Sequence, residues 1–355
     1  MSLTVLEAGQ VLSRLQEFDS IVDARSPAEF ALDHLPGAVN WPTLNNEERA
    51  MIGTMFKQVS AFEAKKSGAA LAARNIAGHI ERGVLGRERD WRPLAYCWRG
   101  GKRSASLALV LDQIGFRVTL LEGGYKAFRA AMLQDLCSRV ASLNFRVLCG
   151  PTGSGKTRLL RAMSNLGAQV LDLEELARHR SSVLGAIPDL AQPSQKRFDS
   201  LIWDTLRRFS TDRPIYIECE SRKVGNVCVP ATLVEKIRTS PCLRLNLPIM
   251  QRVALLLEDY AFYTADVQHL CERLDVLADF RGRATVQAWK SKALNGNFSS
   301  MVEDLLTQHY DPGYEKSMLR NFPNYANASE WSPESHSKFA MQELAGELLK
   351  LEADN

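Results

Sequence analysis

The 355-residue chain carries 44 Lys and Arg against 41 Asp and Glu, a net charge of +3, with 45% hydrophobic and 24% charged residues. That length accommodates two domains with separate cores, and the composition excludes a disordered or fibrous protein. A near-neutral balance also excludes a bulk polycation, so recognition of any polyanion has to come from how the cations are arranged. The opening residues lack the basic start and apolar core of a signal peptide, and no apolar run is long enough to span a bilayer. Seven cysteines, Cys97, Cys137, Cys149, Cys219, Cys228, Cys242 and Cys271, are odd in number and free of Cys-x-x-Cys spacing. That pattern argues against a disulfide framework and against a metal site built from Cys and His, and it sets the expected compartment as the reducing cytoplasm.

Residues Ala8 to Phe18 have apolar positions at helical spacing, and Ile21 to Ala24 form a buried strand pattern. Ser26-Pro27-Ala28-Glu29 is a capping box with proline at the first helical position. Gly37 to Asn40 is a short extended piece, and the pattern from Asn46 to about Gly83 is helical with a break expected near Ser67-Gly68. The apolar run Pro93 to Tyr96 then leads into Cys97-Trp98-Arg99-Gly100-Gly101-Lys102-Arg103-Ser104, with a helix expected from about Ala105 to Ile114. Two glycines let backbone N–H groups converge on the sulfur at a helix N-terminus, and Arg99, Lys102 and Arg103 add positive charge. These surroundings favour the thiolate and bind an anion above it, so Cys97 is the candidate nucleophile. Val118 to Leu121 and a helix from about Tyr125 to Ala141 close the first domain. Strands alternating with helices predict a mainly parallel sheet, with active groups beyond the strand C-termini.

This loop, together with Asp23-Ala24-Arg25 and Asp33-His34-Leu35-Pro36-Gly37-Ala38, resembles a rhodanese domain. The resemblance implies a cysteine that carries a sulfur-family atom as a persulfide-type intermediate. The usual sulfurtransferase loop reads Cys-x-x-Gly-x-Arg. Here Cys97 to Arg103 spans Cys-x5-Arg, a length similar to the loops of cysteine phosphatases and suited to a larger anion.

The second domain opens at about Asn144. Phe145 to Cys149 is strand-like and runs into Gly150-Pro151-Thr152-Gly153-Ser154-Gly155-Lys156-Thr157, with Arg158 to Leu166 as helix. This is Gly-x4-Gly-Lys-[Ser/Thr] in strand–loop–helix context: Gly150, Gly153, Ser154 and Gly155 shape an amide cradle for a diphosphate. Lys156 reaches its outer oxygens and Thr157 offers a hydroxyl to Mg²⁺. Gln169 to Leu171 and Pro214 to Ile217 are further strands, ending at Asp172 and at Glu218-Cys219-Glu220. Asp172, Glu218 and Glu220 are candidate partners for a Mg²⁺ at the phosphate loop. Glu174 and Glu175 are expected in a solvated first helical turn. Cys242 to Leu247 is a strand and Pro248 to Tyr263 a helix bearing Arg252, a candidate to close over the diphosphate. Beyond Ala265 helices carry Arg273, Arg281, Arg283, Lys290 and Lys292 with Phe280 and Trp289 between them. Such interleaving suits RNA, though a charged helix face is the commoner meaning and the one adopted. Pro323 to His336 is expected as loop and Phe339 to Leu351 as a closing helix.

The pairing of these two domains, with Leu173 to Arg180 and Glu220 to Gly225, is similar to the bacterial tRNA 2-selenouridine synthase family from Ile21 to about Pro312. The fold class expected is therefore α/β: a rhodanese-like domain over residues 1–141 and a P-loop NTPase-like domain over 142–264. A helical C-terminal region over 265–355 extends the second domain. The resemblance implies an enzyme acting on wobble 2-thiouridine of tRNA. Sulfur is first alkylated from geranyl diphosphate, and selenium from selenophosphate then replaces the geranylthio group. The Cys97 loop would take selenium as a selanyl sulfide, and the loop at Gly150 to Thr157 would hold the diphosphate. Arg178, Arg180, Arg222 and Lys223 become candidates for tRNA phosphate contacts. No tightly bound cofactor is expected; Mg²⁺ is a candidate ion, and selenophosphate and geranyl diphosphate are the implied substrates. The competing interpretation is a phosphate-loop kinase or ATPase fused to a sulfurtransferase or cysteine phosphatase-like domain.

Overall fold

In a computed structural model, which describes residues 3–182 and 184–353, the chain separates into two units. One is Met1–Ser138 with Pro193–Asp204, the other Arg139–Gln192 with Thr205–Asn355. The first is built on β1 (Thr4–Leu6), β2 (Ser20–Asp23), β3 (Ala38–Asn40), β4 (Pro93–Tyr96) and β5 (Thr119–Leu121), in the order β1-β5-β4-β2-β3. Every pairing is parallel, as expected for short apolar strands covered on both faces. β4 is central, and all four of its residues are buried. Its C-terminal end delivers Cys97 to the edge of the sheet, above a core of Val22, Ala95, Trp91, Leu107, Leu111 and Phe116.

Ser26 caps the helix Pro27–Leu32 through the expected reciprocal box with Glu29. The helical stretch that follows is broken at Val59 and Ser60 rather than at Ser67-Gly68, giving Asn46–Gln58 and Ala61–Gly83. The reason is local: Ser60 Oγ accepts the N–H groups of Phe62 and Glu63 and starts a new helix. Gly68 stays helical, and a Cβ placed there would meet Ile52 of the preceding helix at ordinary contact distance. Most of a helix from much later in the sequence, Gln195–Leu206, also belongs to this unit, with Asp199 and Ser200 midway along it and Trp203 fully buried.

The second unit holds β6 (Phe145–Cys149), β7 (Gln169–Leu171), β8 (Ile215–Glu218), a hairpin of β9 (Lys223–Val224) and β10 (Val227–Cys228), β11 (Cys242–Leu245) and β12 (Ser329–Trp331). Its main sheet runs β12-β11-β6-β8-β7, again parallel throughout. β12 falls inside the stretch expected as loop. Three residues among Asn, Ser and Pro carry no periodic signal, and it is the edge of β11 that fixes them, pairing Leu243 with Ser329 and Leu245 with Trp331. The helix expected over Pro248 to Tyr263 divides at Tyr260 into Ile249–Asp259 and Ala261–Ala265.

The helices after Val267 pack a core of Leu270, Leu274, Trp289, Met301 and Leu305 with Tyr263. Trp289 is buried there, while Lys290 pairs with Asp275 at 2.9 Å and Lys292 with Asp304. These residues form an amphipathic helix with a charged face, as adopted above. The closing helix, Lys338–Ala353, lays Met341, Leu344 and Leu348 against Leu159 and Met163 of the helix Lys156–Asn165.

Candidate functional site

Each unit presents one chemically equipped loop. In the first, Cys97 leaves β4 and the chain turns through Gly100, at φ +65°, into the helix Lys102–Ile114, whose N-cap is Gly101. The helix starts earlier than its apolar pattern indicated, so Lys102 and Arg103 occupy its first turn. Gly101 N–H and Ser104 Oγ–H both point at Cys97 Sγ from 3.2 Å. Both groups are placed to donate to the sulfur. The sulfur is buried, at 3% exposure, so the loop and not bulk water is its environment.

The loop is backed by Gly123 and Gly124, both at positive φ. A Cβ on Gly124 would collide with the Cys97 carbonyl oxygen and stand 2.5 Å from Gly100 N, so only glycine lets these backbones approach. The next two residues bind the loop: Tyr125 N–H donates to Cys97 O at 2.8 Å and Lys126 N–H to Trp98 O at 3.1 Å. The cations are not equivalent. Arg99 and Lys102 are exposed, whereas Arg103 donates to both Glu29 oxygens, at 2.6 and 3.3 Å. Glu29 thus serves twice, in the Ser26 cap and as the clamp that fixes Arg103.

Beneath the loop, Arg25 is buried against Asp23 at 2.6 Å, and Tyr96 Oη donates to the same carboxylate at 2.7 Å. Asp33 accepts hydrogen bonds from Tyr125 Oη at 2.7 Å and Ser200 Oγ at 2.9 Å. Burial raises the Asp33 carboxyl, against the opposing pull of these hydroxyls and of Arg129. The two motifs that suggested this domain therefore form its polar floor.

In the second unit the loop between β6 and the helix Lys156–Asn165 has Gly153 at φ +78° and Gly155 at +89°. Those angles aim successive amides toward one point, the geometry of an anion cradle. Ser154 is fully buried and its hydroxyl has no hydrogen-bond partner among the described residues. Lys156 Nζ donates to Gly150 O at 2.6 Å. Burial alone would lower its pKa. The charges of Cys219, Glu218, Glu174 and Glu220 outweigh that and hold it raised. Thr157 Oγ1 donates to Glu218 Oε1 at 2.7 Å.

Glu218 and Glu220 are joined by a third acid, Glu174, with one carboxylate oxygen of each lying within 4.8 Å of the others. Glu174 is thus not the solvated helix-start residue expected from its position. Its Oε1 accepts Ser181 N–H at 2.6 Å, and burial followed by the charge of Glu218 pushes its pKa up to about 8. Glu220 is also raised, by burial and then by Glu174, and it accepts a hydrogen bond from Ser181 Oγ. Glu175 is exposed as expected. Asp172 is held apart from the triad as the N-cap of Leu173–Ala177, with Oδ1 accepting Glu175 N–H at 2.8 Å. Its other oxygen is buried without a hydrogen-bond partner among the described residues, and burial with the charge of Glu218 raises the Asp172 carboxyl to about 6. Hard carboxylate and hydroxyl oxygens on three sides are a donor set that fits Mg²⁺.

Arg252 of the helix Ile249–Asp259 and Tyr314 of the helix Asp311–Asn321 hold this loop. Arg252 is buried, with Nε on Thr152 O at 2.9 Å and its two terminal nitrogens on Asp311 at 2.9 and 2.6 Å. It braces the loop backbone rather than pointing at the cradle. Gly150 N–H donates to Tyr314 Oη at 2.6 Å, and that hydroxyl also lies 3.4 Å from Cys219 Sγ. Tyr314 has no local motif and sits 164 residues from its partner, so the sequence pattern around it carries no signal.

A cleft of about 1060 Å³ takes in Lys156, Thr157 and the three glutamates. Arg178 and Arg222 line it as exposed residues, and Lys223 is exposed on the β9–β10 hairpin. Arg180 lines the cleft as well, where it stacks over Tyr260 at 4.5 Å and donates to the Asp259 carbonyl.

Two family models match the chain: a rhodanese-like domain over residues 7–131, and the AAA domain of tRNA 2-selenouridine synthase over 143–281. The chain is 32% identical to the tRNA 2-selenouridine synthase of Marinobacter nauticus, over 84% of its own length and 88% of that protein. The figures for the Alcanivorax borkumensis synthase are 34%, 84% and 90%. Identity to the Nitrosomonas europaea synthase is 36%, over 69% of this chain and 64% of that longer relative.

Proposed function

Since the chain belongs to the tRNA 2-selenouridine synthase family, we propose that it converts wobble 2-thiouridine of tRNA to 2-selenouridine in two steps, one at each loop. The observation that carries the reading is the thiol of Cys97, set at a helix N-terminus with Gly101 N–H and Ser104 Oγ–H each 3.2 Å from Sγ. The second unit of the same chain carries a complete phosphate loop.

In the first step the thiouridine sulfur attacks C1 of geranyl diphosphate. The C1–O bond breaks, the diphosphate leaves with the bonding pair, and the base loses its N3 proton. Lys156 and the amides of Gly153 to Thr157 meet the charge that builds on the leaving group. Thr157, Glu218, Glu174 and Glu220 are the residues that would hold Mg²⁺, which when bound would further offset that charge.

In the second step selenium replaces the geranylthio group, and electron counting decides how Cys97 takes part. Selenium in selenophosphate is already fully reduced. A selanyl sulfide on Cys97 would therefore require phosphite to leave, and a further thiol to release the selenium. Attack of Sγ on phosphorus needs only water. The P–Se bond breaks, hydroselenide is freed within the loop, and the cysteinyl phosphate hydrolyses to phosphate. Hydroselenide adds to C2 and geranylthiolate departs. The Cys-x5-Arg length of the loop supports this route, because it provides for a phosphoryl group. Arg178, Arg222 and Lys223 are the residues proposed to contact tRNA phosphates.

The test is nucleoside mass analysis of tRNA incubated with geranyl diphosphate and selenophosphate, separately and together. Geranylthiouridine should form with the first alone and selenouridine only with both. Nucleotide turnover without tRNA, and no change in tRNA mass, would favour a kinase or ATPase instead.

A further inference from the structure

The phosphate loop borders a second cavity that none of the chemistry above uses. It measures about 70 Å³, and its walls include Leu270, Met301, Val302 and Leu305 from the C-terminal helices. Thr152 of the phosphate loop, Leu256, Tyr260 and Tyr310 line both this cavity and the large cleft, so the two adjoin beside the loop. The hydroxyl of Tyr263, also in the wall, is already committed to the Leu184 carbonyl at 3.0 Å.

A backbone irregularity supports a role beyond packing. The helix Phe298–Leu305 continues into a π-helical turn, Leu306–Tyr310, before resuming as Asp311–Asn321. Such turns are costly and concentrate at functional sites. Both end residues of this one, Leu306 and Tyr310, line the cavity.

We infer that this cavity is the subsite for the hydrocarbon end of an isoprenoid diphosphate whose head lies in the phosphate loop. The inference rests on the function proposed above and deepens it, by placing the selection of the diphosphate in the C-terminal helices. Its shape and chemistry disfavour a nucleotide. A volume roughly half of a ~150 Å³ cavity that takes benzene admits a branched end of three or four carbons but not a purine. A base would also need donors and acceptors to read its edge, and here it would meet aliphatic and phenyl walls. The remainder of the chain would run along Leu256 and Tyr260 toward the loop.

Direct binding to the full chain tests this, using inorganic diphosphate, dimethylallyl diphosphate and geranyl diphosphate with Mg²⁺ present. Each methylene buried strengthens binding about fourfold. Geranyl diphosphate should therefore bind on the order of a hundredfold tighter than inorganic diphosphate, with the five-carbon ligand between. Val302→Phe and Leu270→Phe narrow the cavity. They should remove most of that gain while leaving inorganic diphosphate affinity unchanged, which also reports that the variant is folded. Equal affinity for all three ligands overturns the subsite even if neither variant folds. Tight geranyl diphosphate binding that folded variants retain overturns the subsite and leaves the proposed function standing. If the wild-type chain neither binds nor transfers geranyl diphosphate, the proposed function fails and the subsite fails with it.

Discussion

Thr157 Oγ1 donates to Glu218 Oε1 at 2.7 Å, joining the first turn of the phosphate-loop helix to the end of the neighbouring strand β8. In the proposed reaction this hydroxyl and this carboxylate would be two ligands of one cation, with Glu174 and Glu220 grouped with Glu218. Glu218→Gln keeps the hydrogen bond and removes the charge. Geranylation of tRNA should fall on the order of a hundredfold, and the Mg²⁺ concentration for half-maximal rate should rise. An initial-rate series against Mg²⁺ reads both. A curve superimposable on the wild type would remove Glu218 from the site.

The Cys97 loop makes a separate prediction. Cys97→Ser should abolish selenouridine while geranylated tRNA accumulates, since the substitution leaves the phosphate loop untouched. Ser104→Ala removes one of the two donors to Sγ and should cost about tenfold in selenation, the worth of one charge-assisted hydrogen bond. Phosphorus NMR of the wild-type reaction should show phosphate as the product. Phosphite would mean that Sγ attacks selenium, and the selanyl sulfide would be restored.

Asp33 governs a stability dependence on pH. Burial raises its folded-state pKa, and one of its oxygens is buried without a hydrogen-bond partner among the described residues. A raised carboxyl binds its proton more tightly when folded. Its contribution is full below the unfolded pKa of about 3.9 and is lost as pH rises through the folded value. Asp33→Asn stays neutral and lacks this slope. Thermal unfolding across the weakly acidic range should show the wild type losing stability relative to the variant as pH increases. A constant difference between them would show that Asp33 titrates alike in both states.

The sequence was legible where function requires a contiguous pattern. Cys97 to Ser104 and Gly150 to Thr157 are local motifs, and each forms the strand–loop–helix its residues imply. Legibility failed where partners are distant or where a common residue type has an uncommon setting. Glu174 reads as a helix-start acid, and only the fold of β8 brings Glu218 and Glu220 against it. Arg252 reads as a phosphate ligand because arginine often is one, yet Asp311, 59 residues on, claims both terminal nitrogens. The Pro193–Asp204 segment joins the first unit through contacts such as Ser200 with Asp33, across 167 positions. No periodicity encodes that choice of partner.

The assignment of one loop to each step stands or falls with Lys156. Its ammonium is held within the phosphate loop by the Gly150 carbonyl and kept charged by the surrounding acids and Cys219. Lys156→Ala should remove charge stabilisation from the departing diphosphate, about 3 kcal/mol in the transition state or roughly a hundredfold in rate. The variant does not alter Cys97, Gly101 or Ser104. Supplied with tRNA that already carries the geranylthio group and with selenophosphate, it should therefore form selenouridine at close to the wild-type rate. Cys97→Ser on the same substrate should form none. Nucleoside mass analysis of the two variants on the two substrates gives four results, and the proposal requires the failures to fall on opposite steps. If Lys156→Ala fails equally on the geranylated tRNA, the phosphate loop also serves selenation, and a single composite site replaces the division proposed here.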